Sequence, residues 1–145
     1  MLMKKYISMI LIVLCLVGTC TVFAADVIYE KNGYGFQLKS VDQAGMSTYV
    51  YKYPEYSCAQ AKITYQSVLN RPTNMLVVAS DGTQITYNYI VPGEEVPYLC
   101  QLVYYSEMHE GNVALRGNTG STLVDYVVSG YWTPNWSTGV VDFSW

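Results

Sequence analysis

The stretch "NMLVVASDGTQITYNYI", residues 74–90, decides the fold class. Apolar and polar residues alternate with a period of two on both sides of Asp81-Gly82. That dipeptide tolerates positive φ at both central positions of a type I′ turn, the commonest two-residue hairpin connection. With a two-residue loop, Val78 faces Ile85 and Leu76 faces Tyr87. One face then reads Leu76, Val78, Ile85 and Tyr87, and the other Met75, Val77, Thr86 and Asn88. Turn chemistry and hydrophobic pattern both specify a β-hairpin.

The same alternation recurs outward from this hairpin. It predicts strands near 26–31, 34–40, 47–53, 98–105, 112–116, 122–132 and 139–144. In "TLVDYVVSGYW", residues 122–132, Val124, Tyr126, Val128 and Trp132 form one apolar set, with Asp125 and Ser129 on the other face. "GVVDFSW", residues 139–145, alternates likewise. Breaks are expected at Gly117-Asn118-Thr119-Gly120 and at Thr133-Pro134-Asn135. "SCAQAKITYQSVLNRP", residues 57–72, fits either a strand or a helix opened by a Ser57–Gln60 capping box. The β-branched Ile63 and Thr64 and the β-rich surroundings favour a strand. Short strands without βαβ alternation predict an all-β domain. Its expected form is an antiparallel β-sandwich, or a small partly open barrel, of about eight or nine strands.

Residues 1–24 read as a signal peptide, so the single domain would occupy 25–145. Lys4 and Lys5 precede an apolar run from Ile7 to Val17, and Val22-Phe23-Ala24 suits cleavage after Ala24. The run falls short of the ~20 residues a membrane-spanning helix needs, so no span is expected after cleavage. Val17-Gly18-Thr19-Cys20 offers a second route, a lipoprotein anchored through Cys20. The expected location is outside the cell or in its envelope.

Loss of Lys4 and Lys5 takes the formal charge from −3 to −5. Lys31, Lys39, Lys52, Lys62, Arg71 and Arg116 are then the remaining cations, and they form no basic cluster. Nucleic acid is therefore excluded as a partner, because its affinity comes largely from phosphate neutralisation. Cys58 and Cys100 would be the remaining cysteines, and in an exported chain such a pair reads as one disulfide. In the chain-entropy model that crosslink would stabilise the fold by roughly 4 kcal/mol.

"NVALRGNTGSTLVDYVVSGYWTPNW", residues 112–136, is similar to a C-terminal pattern of small exported all-β proteins of Gram-positive bacteria. In that pattern a valine-leucine-arginine strand precedes a valine-serine-glycine-x-tryptophan strand. The resemblance runs from Asn112 to about Pro134. It implies a sandwich and carries no assigned activity.

Catalytic chemistry has little to build on. His109 is the single histidine, and with Glu107 and Glu110 it reads as a solvated turn, so no metal site is expected. No Gly-x-Ser-x-Gly elbow accompanies it. Glu94-Glu95 sit between Pro92 and Pro97, where water keeps both carboxylates ionised; Asp125 and Asp142 are the other candidate pair. No cofactor motif is present.

The chain carries 15 tyrosines and 3 tryptophans. In "STYVYKYPEYSC", residues 47–58, Tyr49, Tyr51 and Tyr53 share one face and Thr48, Val50 and Lys52 the other. The second set suits water, so the rings are expected to pack inward. Trp132 and Trp145 fall on apolar faces. Trp136 lies in "TPNWSTG", a loop composition, which predicts an exposed indole able to stack on a sugar ring or anchor a protein contact. Tyr131 and Trp136 are thus the expected ligand-binding residues. The partner would be a cell-surface glycan or another extracellular protein. A secreted effector (toxin, bacteriocin or protease inhibitor) and a carboxylate hydrolase are the rival readings.

Overall fold

The computed structural model describes residues 30–39, 44–119 and 124–137. The expected leader, its Cys20 and the strand expected at 139–144 lie outside these residues. The described chain forms nine strands and no helix: β1 (Asn32–Leu38), β2 (Gly45–Met46), β3 (Val50–Lys52), β4 (Cys58–Gln66), β5 (Thr73–Ala79), β6 (Tyr89–Val91), β7 (Tyr98–Val103), β8 (Gly111–Thr119) and β9 (Tyr126–Trp136). They build two antiparallel sheets, a β-sandwich. The first has the order β1-β9-β4-β7; the second has the order β2-β8-β5-β6, with β3 also paired to β8. Isolated bridges (Val78 with Gln84, Thr86 with Tyr104) let residues 84–86 pass from one sheet to the other without closing a barrel.

The core lies between the sheets. Strand alternation sends Phe36, Leu38, Ile63, Leu102, Val128 and Trp132 inward from the first sheet, where they meet Met75, Val77, Val113 and Leu115 from the second. Phe36 reaches across to the second sheet. Its ring lies against Gly45 and Gly117, which are Cα partners across β2 and β8, and a Cβ at either would overlap that ring. The ambiguous segment from Cys58 is a strand, as its β-branched residues imply.

Four sequence expectations are corrected. The first is the hairpin register. Val78 pairs with Gln84 rather than Ile85, and the Val77 carbonyl accepts the Ile85 N–H. The loop is therefore Ser80-Asp81-Gly82. Gly82 N–H closes a turn on the Ala79 carbonyl at 2.9 Å, with Gly82 itself at φ +86°. This is the three-residue solution, a turn followed by a left-handed glycine. One residue of slip exchanges the faces: Met75, Val77 and Ile85 enter the core, while Leu76 and Val78 form a small buried cluster with Ala114.

The second correction concerns β9, which does not break at Thr133-Pro134-Asn135. It continues to Trp136, with an extra residue on its own side where it passes Cys58 and Gln60. β8 likewise runs on through Thr119.

The third is the disulfide. Cys58 is opposite Val103 and Cys100 is opposite Ala61, so the two are three register steps apart. That is about 10 Å along the strands, beyond the ~7 Å Cα limit for a disulfide. An odd step also turns them to opposite faces of the sheet. Both are buried free thiols. Burial holds them protonated, Cys58 pushed up to about 11 and Cys100 to about 12.

The fourth is the tyrosine strand. Tyr49, Tyr51 and Tyr53 are exposed and Lys52 is completely buried. The lysine ammonium donates to three backbone carbonyls, of Tyr53 (2.9 Å), Glu107 (3.0 Å) and His109 (2.8 Å), and lies 4.5 Å from the centre of the Tyr104 ring. Three acceptors and a ring face compensate its desolvation, and so the lysine takes the inward place.

Candidate functional site

The "NGYGF" run of β1 starts the site. Alternation turns Tyr34 and Phe36 into the core, so Gly33 and Gly35 face outward. A Cβ at either glycine would meet no atom within 4 Å, so the space above both is open. Across the ladder Gly33 is opposite Tyr131 and Gly35 is opposite Ser129 on β9. On the other side of β9, Lys62 is opposite Tyr131 and Tyr65 is opposite Ser129, with a register shift that leaves Thr64 as the extra residue. Such a bulge re-aims a side chain; the Thr64 hydroxyl reaches the Ser129 carbonyl at 3.4 Å.

These residues line a shallow groove of about 430 Å³ on the outer face of the first sheet: Gly33, Gly35, Thr64, Ser129, Gly130 and Tyr131, with Tyr34 beneath. Tyr131 stands 47% exposed at its wall. The floor is rigid. The Tyr34 hydroxyl donates to the Lys62 carbonyl at 3.2 Å. Gly130 lets the backbones close, since a Cβ there would collide with that same carbonyl. The lining offers the ring face and hydroxyl of Tyr131, the hydroxyls of Thr64 and Ser129 and peptide edges, and no carboxylate, imidazole or thiol.

The two residues expected to bind ligand are not together. Tyr131 lies in the groove, whereas Trp136 is 0% exposed. "TPNW" is strand rather than loop, and Trp136 is paired with Cys58, whose thiol donates to the Trp136 carbonyl at 3.4 Å. The indole is a packing element, and the expectation of an exposed Trp136 is corrected. Glu107, His109 and Glu110 do share one segment, yet among the described residues no three His, Cys, Asp or Glu side chains converge as metal ligands would. Glu94 and Glu95 are exposed at a loop. Asp142, the partner suggested for Asp125, is outside the described residues.

Sequence reasoning missed the glycine floor and the Thr64 bulge. The signal for the first was present: Gly-Tyr-Gly-Phe alternates aromatic and absent side chains, the pattern of a strand with one packed and one hollow face. The bulge had no such signal, because it arises from the fit of β4 to β9. Comparison with protein-family models, with curated proteins and with solved structures found no match.

Proposed function

We propose that this chain is an exported, non-catalytic recognition module that holds a sugar ring of cell-surface material in the groove beside Tyr131. The observation that carries this reading is the half-exposed Tyr131 ring beside a depression floored by glycines and edged by hydroxyls. A sugar presents apolar C–H faces and a rim of hydroxyls. An aromatic face with short polar neighbours complements both, as rigid aromatic anchors do at other recognition surfaces. Hydrolysis of a glycoside would need two carboxyl groups across the cleft, and this groove supplies neither. The leader-like residues 1–24 support an extracellular or envelope location.

Pull-down with insoluble peptidoglycan, chitin and cellulose tests the reading. Wild-type protein is expected to bind at least one of them. Tyr131→Ala should weaken that binding by five- to a hundredfold, the effect of losing ~1–3 kcal/mol at an aromatic contact. Equal retention of the two proteins, or retention of neither, would overturn the proposal.

A further inference from the structure

Strand β3 presents a second aromatic surface, on the other sheet and independent of the groove. Tyr51 and Tyr53, 41% and 50% exposed, stand with ring centres 5.1 Å apart and planes at 65°. Rings set so steeply cannot both lie flat under one sugar. They form an open corner, the arrangement in which a cation meets more than one ring. Glu110 closes it, accepting the Tyr51 hydroxyl at 2.7 Å.

The corner is held in place from beneath. The Lys52 ammonium ties β3 to the carbonyls of Glu107 and His109, fixing the segment that bears Glu110. From β9, the Asn135 amide accepts the Tyr53 N–H at 2.9 Å and donates to the Tyr51 carbonyl at 3.0 Å, occupying the free edge of β3 as a neighbouring strand would. A surface so braced loses little entropy when it is filled.

Charge selects the occupant. The carboxylates of Glu55, Glu107 and Glu110 lie close enough to act on Lys52, three negative charges against one buried ammonium capped by carbonyls. The carbonyls of Tyr53, Glu107 and His109 already accept from Lys52. Two apolar ring faces beside the Glu110 charge suit a cation whose charge is spread over methyl groups. We infer that the Tyr51–Tyr53–Glu110 corner is a binding site for a quaternary ammonium group, such as the head of choline.

Choline chloride titrated into ¹⁵N-labelled protein, against sodium chloride at matched ionic strength, provides the test. Choline should shift the amides of residues 51–53 and 110, with Kd on the order of 1–10 mM, as expected for an exposed aromatic site. Tyr53→Ala should weaken binding about fivefold or more. Glu110→Gln, which retains an acceptor for Tyr51 but no charge, should weaken it about two- to threefold. Tyr53→Phe should bind as wild type does. Sedimentation with phosphatidylcholine vesicles, compared with phosphatidylglycerol vesicles, separates the sources. Capture by the former alone assigns the group to a lipid. Choline binding without capture assigns it to a soluble or polymer-borne molecule, and both results uphold the site. Shifts equal to those of sodium chloride, or Tyr53→Ala binding as tightly as wild type, would overturn the inference.

Discussion

Trp136 and Tyr131 lie five positions apart on β9, yet their substitution should have opposite consequences. Trp136 is fully enclosed and Tyr131 is half in water. Truncating a buried indole costs about 3–5 kcal/mol, while an exposed ring away from the core costs about 0.5 kcal/mol or less. Trp136→Ala should therefore lower the denaturation midpoint steeply and Tyr131→Ala should barely move it. Equal midpoints for the two variants would contradict the burial of Trp136. The cysteines give a second test at this scale. Unreduced, denatured protein lacking residues 1–24, and with them Cys15 and Cys20, should react with two equivalents of thiol reagent at Cys58 and Cys100, whereas a disulfide would leave both silent. Residue identity alone misjudged Lys52, because its three carbonyl acceptors include two that are more than fifty positions away. The composition of β3 could not reveal them, and the tyrosine face was assigned inward as a result.

At the scale of elements, the period of two located most of the described strands, including the ambiguous β4. It did not determine register. Asp-Gly serves both a two-residue and a three-residue loop, since each places glycine at positive φ. Here the Asp81 carboxylate accepts the Thr83 N–H at 2.8 Å, an Asx contact that favours the longer loop, and Met75, Val77 and Ile85 then fill the core together. The groove was half readable: Tyr131 stood out as an aromatic on the polar face of β9, but its glycine floor on β1 acquires meaning only from the pairing of β1 with β9. The contact of Phe36 with the second sheet yields a further prediction. Phe36 occupies the space that the missing side chains of Gly45 and Gly117 leave. Gly117→Ala should destabilise the protein by about 1–3 kcal/mol through overpacking, and Gly117→Ala with Phe36→Leu should recover part of that loss. A neutral Gly117→Ala would contradict the contact between Phe36 and Gly117.

For the molecule as a whole, buried weak acids set the response to pH. Tyr34 and Tyr104 are held well above their usual value of 10.0, chiefly by burial. Tyr89 is raised to about 12, first by its hydrogen bond with Tyr98. Cys58 and Cys100 are raised from 9.0 to about 11 and about 12. Each of these groups keeps its proton longer when folded than when unfolded, so its contribution is complete below the unfolded value and is lost as pH rises toward the folded one. Lys52 is lowered by burial and acts in the opposite sense just below 10.5, one group against five. Stability should therefore decline above about pH 9 and more steeply above about pH 10. A denaturant midpoint unchanged between about pH 8 and about pH 11 would contradict this.

The functional account rests on the outer face of the first sheet, where Gly33 and Gly35 leave a groove walled by Tyr131. Amide mapping of ¹⁵N-labelled protein tests it most directly, using soluble fragments of whichever glycan the pull-down selects. The account predicts saturable shifts clustered at Gly33, Gly35, Ser129, Gly130 and Tyr131, absent in Tyr131→Ala. No shift at saturating oligosaccharide, or shifts centred elsewhere while these five amides stay fixed, would contradict it.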